Sequence, residues 1–389
     1  MQWHKLGVIN REFTNLFIDS NFSDNIQRKK LLELFEKLEY QKVSDSPTLK
    51  HYTDWTSFET LNLIPKIGNK INIILDEIIS DLKDFNIIRV INNNADYELI
   101  DSYTNKLIDP TEHKLVALTL ALSKKIVIEK PGNYLIYHLT TEPEIISPLN
   151  IEINASDGNF NIMYLTELKN EKALNTSVIS ITSNENANVN LNIISLGNNG
   201  YVFNYTKSKV KGSISTSIFS SGGATSHVEY YSELYEKASA KFLTRGLGVN
   251  NDRITIVSRV LHKEGRSSSI GKMKGIASMS SRVILRGVAT VSETAHDSST
   301  EITGKSLILS RDAAAVVVPM LEVKTGRVNL AKHSASVSKV LEDHIFYLQN
   351  RGLSKKEAEG LIIREFLYNE EDPSLLKNYI LRIIQNLGY

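Results

Sequence analysis

The stretch Asn188-Val189-Asn190-Leu191-Asn192-Ile193 alternates polar and apolar residues without a break. A period of two is the signature of a strand with one buried face. The same texture spreads outward on both sides. Upstream lie KIVIEK (125–130), YLIYHL (134–139), NIEIN (150–154) and FNIMYL (160–165). Downstream lie YVFNY (201–205), SISTSIF (213–219), RITIVSRVL (253–261), RVILRGV (282–288) and SLILS (306–310). Gly, Asn, Ser and charged residues separate these runs. From Ile126 onward, no amphipathic helical pattern interrupts them until the last fifty residues or so. Many short strands fit a sandwich, a barrel or a solenoid. No fixed repeat is visible, so period alone does not select the solenoid. Small polar residues are dense, as at Ser213, Ser215, Ser217, Ser220 and Ser221 and again at Ser267–Ser269. They suit stacked coils, and they suit ordinary turns as well.

Both flanks read as helical. Leu31, Leu34, Phe35 and Leu38 share one helical face, with Ser23 or Asp24 as the cap. Near the other end Leu341, Ile345 and Leu348 share a face, and Gly352 is a stop signal. Ser354-Lys355-Lys356-Glu357 has the spacing of a capping box. Ala358, Leu361, Ile362 and Phe366 then mark a buried face. Asp372-Pro373 reads as cap and first turn of a last helix carrying Leu376, Tyr379, Ile380, Ile383 and Leu387.

Composition excludes several chemistries. The 389 residues are 41% hydrophobic and 23% charged, as in a folded globular protein of more than one unit. Lys plus Arg number 45 against 44 Asp plus Glu, a net charge of +1, so no bulk attraction for nucleic acid or acidic membrane is expected. There is no cysteine. Thiolate nucleophiles, disulfides and cysteine-ligated metals or clusters therefore cannot come from this chain alone. No apolar run reaches the length of a membrane span, and the opening residues lack a secretion signal's apolar core, so a cytoplasmic location is expected. Gly222-Gly223-Ala224 lacks the Lys and Ser/Thr of a phosphate-binding loop.

Residues 319–367, PMLEVKTGRVNLAKHSASVSKVLEDHIFYLQNRGLSKKEAEGLIIREFL, resemble the SufB/SufD family of iron–sulfur cluster assembly proteins. The matching positions are Pro319, Leu321, Glu322, Val328, His333, Ala335, Phe346, Tyr347, Leu348, Arg351, Gly352, Glu357, Ala358, Ile362 and Phe366. Weaker likeness extends to Val260-Leu261-His262, Ser267–Ser269, Lys274-Gly275, Arg282, Gly287, Ser306–Ser310 and Tyr52-Thr53-Asp54-Trp55. The chain resembles the cysteine-free, SufD-type member.

The resemblance implies a mainly β protein: a right-handed parallel β-helix core between helical domains. The divisions expected are residues 1–105, 106–335 and 336–389. It implies a non-catalytic scaffold that pairs with a SufB-like β-helix subunit and a SufC-like ATPase, with a homodimer as a further state in isolation. No stably bound cofactor is expected; iron or a transient iron–sulfur cluster would be shared with a partner. His333 falls where the family places an interface histidine, a candidate metal or cluster ligand, since neutral imidazole ligates iron. The plainer reading is a hydrogen-bonding histidine at a strand end, and Lys332 beside it would oppose a cation if it pointed the same way. ATPase binding would fall on Leu341, Ile345, Phe346, Tyr347, Arg351, Gly352, Glu357, Ala358, Ile362 and Phe366.

Other candidates are expected to be structural. His227, His262 and His296 sit among the strand runs. The carboxylate pairs Glu229/Glu233, Asp297/Glu301 and Glu342/Asp343 read as solvated charge rather than as glycosidase acids. Two functions compete with the scaffold: a secreted-type β-helix enzyme acting on polysaccharide, and a stand-alone, SufB-like homodimeric scaffold, which the lack of cysteine opposes.

Overall fold

The computed structural model describes residues 7–40, 52–69, 82–340 and 342–386; Leu341 and Leu387 fall outside them. From Lys125 to Lys339 successive strands alternate between two sheets, and each pairs in parallel with the strand two places on. One sheet has eight strands, from Lys125–Ile128 to Ala314–Val323. The other has ten; it runs from the short antiparallel pair Asn86–Ile91 and Asn94–Ala95, through Gly132–Thr140, to Val328–Lys339. The result is a parallel β-solenoid of about eight turns. Among the alternatives left open by alternation, stacking in register selects this one.

The register also explains why no repeat is legible. Val189, Ile214, Ala240, Ser269, Thr300 and Ala331 stack one above the next. Their spacings are 25, 26, 29, 31 and 31 residues. Only the rung positions are constrained by stacking; the turns between sheets lengthen freely at the surface.

Inside the coils, apolar side chains from both sheets form one core, including Ile151, Ile162, Ile179, Leu191, Ile193, Val228, Ile256 and Leu285. Gly222 and Gly223, with φ of 75° and 110°, turn against Gly197, where an added Cβ would meet Gly223 at 2.7 Å. Both sheets also bury parts of their outer faces. Against the eight-stranded sheet pack α1 (Arg11–Asn21), α2 (Asn25–Lys37) and α3 (Lys114–Leu122), with Leu115 and Leu118 in one cluster with Ile146, Leu174, Val178 and Phe203. The helix α3, apolar all round, is buried along most of its length and falls within the stretch expected to be β core. Arg28 is fully buried and donates to the carbonyls of Leu120, Ala121 and Ser123, closing the C-terminal end of α3. Asp24 stands at the N-cap position of α2, but its carboxylate binds Arg28 instead of capping, and Ser23 binds Asp101.

On the ten-stranded sheet lie α4 (Glu342–Gln349), α5 (Lys355–Leu367) and α6 (Ser374–Asn386). Ile363, Leu367, Leu376 and Ile380 pack on Tyr137, Leu165, Ile194, Phe219 and Leu247. The capping box of α5 is present, with Ser354 and Glu357 bonding reciprocally. Its fully buried positions are Ala358, Gly360, Ile363 and Leu367, so the buried face is rotated from the expected one; Leu361, Ile362 and Phe366 are half-buried. Asp372 is not a simple cap either. Its carboxylate forms a two-point ion pair with fully buried Arg245, which also donates to the Leu367 carbonyl at 3.0 Å. This pair ties the C-terminal helices to the sheet.

Candidate functional site

The last turn of the solenoid is open. All of Val328–Lys339 beyond its first residue is exposed, and Ala314–Val323 is half-buried or exposed along its length. Among the described residues, each strand has one neighbour on its inner side and none on its outer side. Each presents a row of free backbone donors and acceptors. Pro319 lies in one edge strand and Lys332 and Lys339 in the other, residues that discourage indiscriminate edge pairing.

Alternation fixes which side chains face this mouth. His333 continues the interior column Tyr134, Ile162, Leu191, Thr216, Phe242, Gly271, Ile302. With no turn above it among the described residues, the imidazole is exposed. Its interior-side neighbours along the strand are Ala331, Ala335 and Val337. Across the mouth, Ala315, Val317 and Leu321 pack partly on the core. His333 is thus a single imidazole in an apolar rim. Lys332 points to the opposite face, where it pairs with Glu301 at 3.3 Å, so its charge is turned away from the mouth. Among the described residues, no three His, Asp or Glu side chains gather to hold a metal.

The expected partner-binding residues divide by exposure. Phe346 and Tyr347 are 65% and 57% exposed. The Tyr347 hydroxyl accepts a 2.7 Å hydrogen bond from Arg351, whose guanidinium also lies over the ring. Gly352 has φ of 94°, which turns the chain between α4 and α5. Ile345 and Ala358 are buried, so they hold this surface in place and do not form it. Ile362 and Phe366 are half-buried. Phe346 and Tyr347 thus leave two large rings exposed on α4.

The other candidate histidines, His262, His296 and His227, each bond a neighbouring side chain. His262 is fully buried between Ser267 and Ser269, 2.8 Å from each hydroxyl, and burial pushes its pKa down to about 4. His296 is exposed and bonds Thr325. His227 is buried beneath Trp55, with Thr53 at 2.7 Å. Its neighbour Glu229 is not solvated: it is 7% exposed and pairs with Arg259 at 3.2 Å. Burial alone would raise its pKa, but the bond from His227 and the Arg259 charge hold it down at about 2. Sequence reading did not single out His113. It is buried against Phe203 and Trp55, its pKa lowered to about 3 chiefly by burial. Glu233, Asp297 and Glu301 each pair with a surface cation.

Residues 149–366 match the family model described as "SUF system FeS cluster assembly, SufBD core domain". The chain belongs to the SufBD family. The matched span takes in most of the solenoid, its open end and α5 of this SufBD chain. Curated relatives include proteins described as "Iron-sulfur cluster assembly SufBD family protein" from Staphylococcus aureus (strain USA300) and Staphylococcus haemolyticus (strain JCSC1435). Each is 33% identical over 110 residues, covering 28% of this chain and 23% of the relative. The chain thus aligns with less than a quarter of the length of those relatives. No described helix is long and apolar enough to cross a membrane.

Proposed function

We propose that this SufBD chain is a SufD-type, non-catalytic scaffold subunit of a cytoplasmic iron–sulfur cluster assembly complex. Its open solenoid end pairs with the matching end of a SufB-like subunit. Its C-terminal helices receive a SufC-like ATPase on Phe346, Tyr347 and Arg351. The observation that carries the reading is the uncovered last turn. Two edge strands with an apolar rim form a surface that the edge strands of another solenoid, running antiparallel to them, would complete by backbone hydrogen bonding.

The cluster is cargo here, not a resident cofactor. A chain with no thiolate and one mouth-facing imidazole can offer at most one ligand at this place; sulfur acceptance and the remaining ligands fall to the partner. Neutral imidazole suits iron, and the outward turn of Lys332 removes the nearest repulsive charge.

Two variants test the reading by co-expression with a cysteine-containing SufB-like subunit and a SufC-like ATPase. Ala335→Asp, which puts a charge on the mouth side of the edge strand, should prevent copurification of the SufB-like subunit. His333→Ala should leave the complex assembled and lower cluster per complex, measured as iron and acid-labile sulfide. Copurification unaffected by Ala335→Asp would refute pairing through the open end. An unchanged cluster ratio for His333→Ala would leave the chemistry to the partner alone.

A further inference from the structure

A groove of about 910 Å³ runs along the outer face of the ten-stranded sheet, beside the loop that joins α5 to α6. Its floor is a register column: Asn133, Asn161, Asn190, Ser215, Lys241, Ile270. Five strand steps of about 4.8 Å make it roughly 24 Å long, room for about seven residues of extended chain. At the end nearer the solenoid start the floor is neutral. The Asn161 amide donates to Asn133 at 2.7 Å and the Asn190 amide to Asn161 at 2.9 Å, a ladder with amide edges left over toward the groove.

Toward the open end the floor turns basic. Lys241 and Lys272 are exposed within the groove. Just beyond, Arg245, Lys274 and Lys305 lie directly opposite one another on three successive strands. Like charges in register on adjacent strands repel. Asp372 neutralises Arg245. Among the described residues, Lys241, Lys272 and Lys305 have no anionic partner. Lys274 reaches the Tyr368 carbonyl at 3.2 Å, and its pKa is lowered by burial first and then by Arg245, Lys272 and Lys305. Glu371, exposed, also lines the groove, and the described side chains there and just beyond still leave more cations than carboxylates.

We propose that this groove receives an extended acidic segment of a partner protein, its carboxylates on Lys241, Lys272 and Lys305 and its backbone along the asparagine ladder. The cations run diagonally over three successive strands of the sheet, two positions along for each strand crossed, and do not converge on one point as a phosphate would require. The amide edges complement a peptide backbone. This occupant is independent of the open-end pairing.

The test is fluorescence anisotropy of the full chain with a labelled ten-residue peptide alternating glutamate and serine. Its glutamine counterpart is the uncharged control. Binding should weaken with salt, and Lys272→Glu/Lys305→Glu should weaken it by roughly tenfold or more. Lys30→Glu/Lys37→Glu makes the same charge change at exposed lysines of α2, on the eight-stranded sheet, and should leave it unchanged. Lys272→Gln/Lys305→Gln, read alongside circular dichroism, separates lost charge from lost folding. Equal losses in both glutamate pairs would reduce the effect to net charge and overturn the proposal. So would absent binding, or displacement by millimolar inorganic phosphate or ATP in preference to peptide, which would mark a small-anion site.

Discussion

The two ends of the solenoid are finished in different ways. At the start, Ala95 and Leu99 lie against the core of the first turns. The turn Asn92-Asn93 takes positive φ at both residues, which asparagine tolerates. Its side chains are then used as staples. Asn93 donates to the carbonyls of Lys66 and Ile146 and accepts from Ser147, which in turn bonds buried His138. At the other end no described element lies over the last turn, and valines and alanines that would be core elsewhere are left half-exposed. A solenoid has no intrinsic stop; each turn templates the next. One end here has been capped with polar staples at a local cost in strained backbone, and the other has kept its edges. Under the proposed function, the difference separates a closed terminus from a docking surface.

The largest effect expected concerns the tail that flanks the open end without covering it. Asp372→Ala would strand the fully buried Arg245 guanidinium. Breaking such a pair costs about 3–5 kcal/mol, measured by urea unfolding. If the tail detaches alone, limited proteolysis will release residues beyond about Val340 before the solenoid unfolds. Arg245→Met with Asp372→Leu should recover most of the loss, since a packed apolar pair can replace a buried ion pair.

A matched pair of truncations compares the ends directly. Ile153, fully buried in the early turns, should cost about 2–5 kcal/mol on replacement by Ala. Val317, half-buried at the mouth, should cost under about 1 kcal/mol. Equal losses would mean that the mouth is covered in solution. A larger loss at Val317 in a purified complex than in the isolated chain would sharpen the assignment of a partner there.

Acid should act through the closed, buried part. His138 and His262 are pushed down to about 3 and 4 by burial, against an ordinary value near 6.5. Between those values the unfolded chain binds protons that the folded chain does not. Stability therefore falls as pH drops below about 6.5, by about 2 kcal/mol per imidazole at pH 5. Comparing unfolding free energies at pH 7 and pH 5 checks this. His262→Gln, whose amide can bond Ser267 and Ser269, should remove one imidazole's share of the difference. An unchanged pH slope would show that His262 is protonated in the folded state.

Much was legible beforehand because it rests on local rules. Alternation at Val189, Leu191 and Ile193 named the strands, and the spacing of Ser354 and Glu357 named a cap that forms as read. The absence of cysteine limited the chemistry. The family motif placed His333 and the exposed pair Phe346 and Tyr347. What failed locally did so for tertiary reasons. Asp372 had the sequence context of a cap, yet a buried guanidinium 127 residues away claimed its carboxylate. Glu229 looked like solvated charge until the N-terminal segment carrying Thr53 and Trp55 was laid over His227 beside it. The helix α3 has no polar face because it is enclosed on all sides, and a pattern search for amphipathic helices passes over it.

The sequence by itself determined which residues alternate, where helices start and which ligands the chain cannot supply, because these depend on neighbours one to four positions away. Only the tertiary structure decided that strands of unequal spacing stack as coils, that His333 faces an open mouth while Lys332 faces away, and that Lys274 and Lys305 stand side by side. Those facts depend on register between residues some thirty positions apart. Register is set by the shared apolar interior and by turn length together, and neither is visible along one stretch of chain.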